Sequence, residues 1–243
     1  MEAWGLTDPG LVRPQNQDYY LLQALGKHDL AAVVCDGMGG AKSGNVASRL
    51  AAEIFMEELK RGYRAGMTDE QTEYLLKTGI SIANTAVYEN AALNEDMHGM
   101  GTTLVAVLIL GKTAYFVNVG DSRGYLLNSS GITKITVDHS LVELMVQRGE
   151  LSSEQAKAYP GKNLITRAVG TEKAVTCDTF RCPVHAGDYF LLCTDGLTNL
   201  LADQELLFEV IHGVHTEDCC SRLVGIARDR GAPDNVTAVL IAC

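Results

Sequence analysis

Three aspartates stand where apolar runs of the chain begin or end. Each adjoins a stretch with the length and β-branched content of a buried strand: Asp36 after Ala31–Cys35, Asp195 after Tyr189–Thr194, and Asp234 before Val236–Cys243. A carboxylate at the end of a buried strand is costly unless its charge is paired or binds a metal ion. The glycines that follow Asp36 let the backbone approach an ion closely. Three such carboxylates, far apart in sequence, predict one oxygen-rich metal centre.

The ligand types indicate which ions this centre would take. Carboxylates and glycine carbonyls, with no Cys or His among them, select hard cations, so Mn²⁺ or Mg²⁺ is expected. A carboxylate that bridges two such ions produces a site for in-line displacement at phosphorus by a nucleophilic hydroxide. The outer phosphate oxygens then need a cationic partner. Arg13, in the polar loop 13–18, is the candidate because a guanidinium binds phosphate bidentately.

Seven short motifs occur in order along nearly the whole chain. They are Arg13-x-x-Asn16-Gln17-Asp18, Asp36-Gly37-Met38-Gly39-Gly40, Gly101-Thr102-Thr103, Gly120-Asp121-Ser122-Arg123, Asp138-His139-Ser140, Gly187-Asp188 with Leu191–Leu197, and Asp234-Asn235-Val236-Thr237. In this order they resemble the metal-dependent protein phosphatases of the protein phosphatase 2C type, in their compact bacterial form. Each motif alone is weak, whereas seven in register make the resemblance highly specific.

The resemblance implies a metal role for four of these residues. Asp36 would bridge two tightly bound ions, and the Gly37 carbonyl would bind the second of them. Asp195 and Asp234 would complete the first ion's ligands. The expected cofactor is therefore a pair of Mn²⁺ or Mg²⁺ ions at one end of the fold, between two sheets.

Three further site residues follow from the same resemblance. Asp18 would contact the metals through water, and Asp121 would share a third, weaker ion with Asp195. Arg13 would hold the substrate phosphate. The implied activity is that of a phosphoserine/phosphothreonine protein phosphatase in which a metal-bridging hydroxide attacks phosphorus directly. Its expected partners are phosphoproteins and a bacterial Hanks-type serine/threonine kinase that it opposes.

The general acid of this reaction stays open because the chain departs from the family pattern. Many bacterial relatives have His where Ala41 stands, animal relatives have His where Met38 stands, and Gln17 replaces a more usual Glu. A metal-bound water is the preferred proton donor. His139 is the second candidate, although a His in this loop is more typical of a residue that organises the loop by hydrogen bonding.

Elements that position these residues can be read from hydrophobic periodicity. Strands are predicted at Trp4–Thr7, Tyr19–Leu22, Ala31–Cys35, Thr102–Leu110, Ala114–Val119, Tyr125–Leu127, Ile132–Thr136, Val175–Arg181, Asp188–Cys193 and Asn235–Cys243. Amphipathic helices are predicted at Ser43–Leu59, at 76–87 after a capping box at Thr68–Gln71, at Asp203–His212 and at Thr216–Arg230. Hairpin-like strand pairs with clustered helices predict an α+β fold, an antiparallel sandwich flanked by helices. The resemblance implies four layers, α/β/β/α.

The segment 137–170 differs from the rest of the chain. It is polar, with short helical patterns at Leu141–Arg148 and Ser153–Ala158 and no strong strand. We interpret it as a segment that leaves the β core without forming a separate domain. The resemblance implies that it is a mobile flap beside the active site. Residues 1–243 are thus expected to form one catalytic domain.

Composition excludes several function classes. The formal net charge is −10 without any Lys/Arg run, which argues against a nucleic-acid-binding surface. No apolar stretch reaches the roughly 20 residues needed to cross a bilayer. Seven cysteines without a CxxC pair indicate reduced thiols, so a cytoplasmic monomer is expected.

Two other functions are weighed against the phosphatase. Val33–Gly44 superficially resembles a nucleotide-binding loop, but Asp36 and Ala41 occupy both glycine positions that a P-loop requires. A catalytically silent relative that only binds phosphoproteins should have lost metal carboxylates, and none is missing. A rise in melting temperature with Mn²⁺ would indicate a metal-competent site.

Overall fold

The computed structural model describes residues 1–39, 43–93 and 95–243. Gly40 of the second motif, Ala41 of the general-acid question and Lys42 of the nucleotide-loop alternative lie outside the described residues. Eleven strands form two sheets in which every described strand pair is antiparallel. None of the described helices combines the length and apolar character needed to cross a membrane.

The first sheet contains both chain termini. Its strand order is β1 (Glu2–Asp8), β11 (Val236–Ala242), β10 (Tyr189–Cys193), β7 (Arg123–Asn128) and β8 (Gly131–Lys134). The second sheet has the order β2 (Asp18–Ala24), β3 (Leu30–Met38), β5 (Leu104–Leu110), β6 (Thr113–Val119) and β9 (Asp178–Pro183), with β4 (Gly101–Thr102) paired to the end of β3.

Two helix pairs cover the outer faces. The pair α1 (Gly44–Gly62) and α2 (Asp69–Leu93) packs on the second sheet, and α6 (Asp203–His212) and α7 (Cys219–Asp229) pack on the first. The predicted capping box is present: the backbone N–H of Gln71 donates to Thr68 Oγ1, and the backbone N–H of Thr68 donates to Gln71 Oε1. The predicted α/β/β/α layering is confirmed.

Strand β5 shows how the sequence builds these layers. Its side chains alternate between faces, as any strand requires. Leu104, Ala106 and Leu108 pack toward α1 and α2, whereas Val105, Val107 and Ile109 pack between the two sheets. Because both faces of this strand are buried, its sequence is uniformly apolar.

Several predicted boundaries were wrong. The strand predicted at Thr102–Leu110 is interrupted at Thr103, where the backbone N–H turns to the Asp36 carbonyl instead of continuing the ladder. The strand predicted at Val175–Arg181 is β9, Asp178–Pro183. The last predicted helix begins as a 3-10 turn, Thr216–Asp218, and the short helix α5, Asp195–Thr198, was not predicted.

The segment 137–170 contains α3 (Leu141–Gln147) and α4 (Ser153–Lys157), close to the two predicted helical patterns. No side chain of α3 is buried. An isolated bridge between Thr102 and Val169 joins the segment to β4, and a second one, between Ser140 and Ile165, closes the segment on itself. It therefore lies on the sandwich with little apolar core of its own.

Candidate metal centre

Strand ends of both sheets meet at one cleft of about 290 Å³. Asp36 comes from the end of β3 in the second sheet, and Asp121 from the turn that joins β6 of the second sheet to β7 of the first. Asp195 lies two residues after β10 and Asp234 two residues before β11, and both of these strands belong to the first sheet. All four aspartates line the cleft. The fold thus brings together carboxylates that are up to 198 residues apart, from Asp36 to Asp234.

Asp18 lies beneath the cleft, opposite Asp36 in the β2–β3 register. Its side chain is only 5% exposed. Oδ2 accepts hydrogen bonds from the hydroxyls of Thr194 (2.9 Å) and Thr237 (2.6 Å). Oδ1 is buried and has no hydrogen-bond partner among the described residues. A buried carboxylate oxygen without a donor is costly, so this side of Asp18 needs a cation or a polar group that the cation organises.

Electrostatic repulsion accompanies this clustering. Burial raises the pKa of Asp18 and of Asp121 to about 7 in each case, and neighbouring aspartates add to the effect. Burial also raises the pKa of Asp36 well above its usual range, and that of Asp195 less strongly, with further contributions from the other carboxylates. The site therefore favours cations: protons when nothing else is bound, or metal ions when they are present.

Hydrogen bonds from two threonines fix the backbone of Asp36. The Thr102 hydroxyl and the Thr103 N–H donate to the Asp36 carbonyl at 2.8 and 2.9 Å. The Asp36 N–H donates to Thr103 Oγ1 at 2.9 Å. Thr103 Oγ1 also shares a hydrogen bond with Ser122 Oγ, 2.7 Å away. Thr103 thus connects Asp36 to the turn that carries Asp121.

Gly37 lines the cleft next to Asp36. Its N–H donates to the Gln17 carbonyl at 3.0 Å. A Cβ at this position would lie 2.0 Å from the carbonyl oxygen of Gly44 at the start of α1. Only glycine permits this close approach of two backbones, which places the Gly37 peptide beside the carboxylates.

Arg13 lies at the edge of the cleft with 54% of its side chain exposed. Its Nη2 donates to Asp234 Oδ2 at 2.9 Å. Asn235 anchors the Arg13 loop: its amide donates to the carbonyls of Pro9 and Gln15, and its Oδ1 accepts from the Gln17 N–H. A guanidinium on a backbone fixed in this way is suited to bind an anion at the cleft.

Arg123 and His139 lie outside the set of residues that line the cleft. Arg123 makes a two-pronged ion pair with Asp138, at 2.9 Å from Nε and 2.7 Å from Nη2, as expected of a structural residue. His139 is 5% exposed, and its ring contacts the Gly120 N–H and Asp178. Burial lowers the pKa of His139. The ring therefore organises a loop. Met38, at the position where animal relatives have His, does line the cleft.

The donors suit hard divalent cations. Aspartate oxygens and backbone carbonyls, without Cys or His, are the ligand types that Mn²⁺ and Mg²⁺ prefer. Within the described residues, no group of three or more His, Cys, Asp or Glu side chains already has the geometry of a complete metal site. The compatibility with metal therefore rests on the donor types, on the buried Asp18 oxygen and on the mutual repulsion of the carboxylates.

Sequence reasoning did not find the residues that support the carboxylates. Thr103 was predicted to be an ordinary strand residue, and Thr194, Thr237 and Asn235 were treated only as parts of motifs. Thr194 and Asn235 each adjoin a metal candidate in the chain, whereas Thr103 and Thr237 contact Asp36 and Asp18 only in the fold. A search for Thr and Asn beside strand-end aspartates would have identified Thr194 and Asn235.

Comparisons with known proteins identify the family of this chain. Residues 13–224 match the family model described as Protein phosphatase 2C. The chain is 36% identical over 242 residues to the serine/threonine phosphatase stp of Listeria monocytogenes, which covers 99% of this chain and 95% of that protein. It is also 36% identical over 236 residues to the serine/threonine protein phosphatase PstP of Mycobacterium tuberculosis, covering 96% of this chain and 43% of PstP. The structure of serine/threonine phosphatase Stp1 from Staphylococcus aureus superposes with a TM-score of 0.93 at 36% identity, covering 100% of this chain and 94% of that one.

Proposed function

This chain is a serine/threonine protein phosphatase of the protein phosphatase 2C family, and we propose that the acidic cleft is its active site, with divalent metal ions held by the aspartates that line it. One observation carries this proposal. Carboxylates from four separate parts of the chain line a single cleft that also contains Arg13. A phosphate monoester carries negative charge, so a carboxylate-lined cleft suits it only with cations present.

The family is metal-dependent, and we assign Mn²⁺ or Mg²⁺ to two tight sites and a weaker third. Asp36 would contact both tight ions, and the Gly37 carbonyl would complete one of them. Asp195 and Asp234 would hold the other, and Asp121 would contribute to the third. When bound, the ions would supply the Lewis acidity that activates water and polarises the phosphate for in-line displacement.

Arg13 is assigned to the substrate phosphate. A guanidinium has five N–H donors, and the described bond to Asp234 uses one of them, at Nη2. The remaining donors are available to phosphate oxygens at the mouth of the cleft. Asp18 stays beneath the site, where the hydroxyls of Thr194 and Thr237 orient its carboxylate.

The substrates we propose are phosphoserine and phosphothreonine proteins, including those made by a Hanks-type serine/threonine kinase. The support is the family and the names of the relatives. We further propose a cytoplasmic monomer with one catalytic domain, in which the segment 137–170 acts as a flap beside the cleft. Ile165 of that segment lines the cleft, which puts it within reach of a bound phosphopeptide.

A phosphatase assay tests the proposed function. The protein is incubated with a phosphothreonine peptide and Mn²⁺, and released phosphate is measured, with EDTA and a phosphotyrosine peptide as controls. We expect phosphate release that EDTA abolishes and that is much slower with phosphotyrosine. Binding of the peptide without release would indicate the silent phosphoprotein-binding relative instead.

A further inference from the structure

His139 connects the turn before Asp121 to the segment 137–170. Its backbone N–H donates to the Gly120 carbonyl at 2.9 Å, and its Nδ1 accepts the Gly120 N–H at 3.1 Å. Its own carbonyl accepts the Thr166 N–H at 2.8 Å. Gly120 and Thr166 each adjoin a residue that lines the cleft, Asp121 and Ile165. One buried residue thus contacts both walls of the site.

The hydrogen bonds fix the tautomer of the imidazole. Because Nδ1 accepts the Gly120 N–H, it carries no proton, and the ring proton lies on Nε2. Nε2 then donates to Asp178 Oδ2 at 3.2 Å, and Arg167 Nη1 lies 3.1 Å from the same ring nitrogen. Arg167 Nη1 donates to Asp178 Oδ1 at 3.0 Å. Asp178 is the first residue of β9, so the ring is anchored to the second sheet at its far end.

Gly120 depends on this anchor because its conformation is unusual. It has a φ of +106°, and a Cβ there would lie 2.6 Å from Thr103 Cγ2. Both polar groups of its backbone bond to His139. The Gly120 carbonyl also accepts from Asn118 Nδ2 at 3.1 Å, so His139 is the one partner of the Gly120 N–H but shares the carbonyl. The direction in which the next residue, Asp121, leaves this turn is therefore set by His139 and Asn118 on one side and Thr103 on the other.

We propose that His139 is a positioning residue, whose imidazole holds the Gly120 turn so that Asp121 faces the cleft. Through its backbone carbonyl and its Nε2, the same residue connects this turn to Thr166 and Arg167 of the segment 137–170. The catalytic consequence rests on the proposed function, since it requires Asp121 to act in phosphate hydrolysis. The structural consequence, a turn fixed by the ring, does not.

Two variants separate the two ends of the ring. In His139→Asn the amide oxygen lies near the former Nδ1 and can still accept the Gly120 N–H, but the contact to Asp178 is lost. In His139→Gln the longer amide reaches Asp178, while the Gly120 N–H loses its acceptor. The exposed His28, in the loop between β2 and β3, gives a matched control as His28→Gln.

Turnover and KM for p-nitrophenyl phosphate are measured in Mn²⁺, and amide hydrogen exchange is followed in metal-free protein. For His139→Gln we expect kcat to fall by about tenfold or more with little change in KM, as for residues that orient catalytic groups. Exchange at Gly120 and Asp121 should accelerate by about tenfold while α1 and α2 exchange as in wild type. His139→Asn should keep most of the turnover and protection, and His28→Gln should match wild type.

Equal losses of turnover in His139→Asn and His139→Gln would overturn the proposal, because the bond to Gly120 would then not account for the loss. So would unchanged exchange at Gly120 in His139→Gln. A wild-type protein without turnover would overturn the proposed function, and the exchange measurement would still decide whether His139 holds the turn.

Discussion

The floor and the rim of the cleft are built in different ways. The floor, defined by Asp18, Asp36, Thr103 and Thr194, consists of strand ends whose polar groups bond to each other or to neighbouring strands. The rim, defined by Arg13 and residues 141–165, has a half-exposed guanidinium and a helix without buried side chains. The fold therefore fixes the carboxylates before a ligand arrives, while the groups that would meet the substrate chain are held by few packed contacts. Changes in the floor should affect catalysis, and changes in the rim should affect substrate binding.

The largest effect is expected from Asp36→Asn in the floor. This change keeps the size of the side chain and removes the charge assigned to both tight ions, so turnover of p-nitrophenyl phosphate in saturating Mn²⁺ should fall by about a hundredfold or more. Since burial, together with the neighbouring carboxylates, raises the pKa of Asp36, the metal-free protein should melt at the same temperature or higher. Residual activity above about a tenth of wild type would contradict the assignment.

Thr103→Val tests how the floor is supported. The variant keeps the shape of the side chain but leaves the Asp36 N–H and the Ser122 hydroxyl without their partner, at a cost of about 1–3 kcal/mol in the free energy of unfolding. Turnover should fall by about tenfold, because Thr103 Oγ1 holds both Asp36 and the turn that carries Asp121. The exposed Thr133 on β8 gives the control Thr133→Val. Equal behaviour of the two variants would mean that the hydroxyl is unimportant.

Arg13→Ala probes the rim at the cleft mouth. Loss of charge-assisted hydrogen bonds to phosphate should raise KM for a phosphothreonine peptide by about tenfold. The affinity for Mn²⁺, measured by calorimetry, should stay nearly unchanged because the carboxylates remain in place. A large loss of Mn²⁺ binding would show that Arg13 organises the floor through Asp234 and does not serve the substrate.

The smallest effect is expected from Leu144→Ser on the outer surface of α3. Leu144 is 36% exposed and lies in a helix without buried residues, so the free energy of unfolding should fall by only about 1 kcal/mol or less. Turnover of p-nitrophenyl phosphate should equal that of wild type. Denaturant titration and the same assay check both expectations. A fall in the free energy of unfolding as large as that of Thr103→Val would mean that α3 is packed as tightly as the floor. The distinction between the two regions would then fail.

The sequence predicted the parts of the site that depend on local pattern. Asp36, Asp195 and Asp234 were recognisable because each interrupts or precedes an apolar run that could only be a buried strand. The layer order came from the resemblance to a family, since periodicity alone does not state which faces of two sheets meet. The break at Thr103 was missed because Thr102–Leu110 is apolar and β-branched throughout.

Long-range hydrogen bonds could not be predicted. Asp18 is bonded to Thr194 and Thr237, which are 176 and 219 residues away in the chain. No local pattern identifies such partners, because they depend on the register between two sheets. The short helix α5 was missed for a different reason: four residues are too few to show a helical period.

A crystal grown with Mn²⁺ tests the central claim most directly. Anomalous scattering distinguishes manganese from water and lighter ions. We expect strong anomalous peaks inside the cleft, with Asp36 between two of them and Asp195 and Asp234 at one. Peaks found only elsewhere on the surface, with the four carboxylates pointing to separate places, would contradict it.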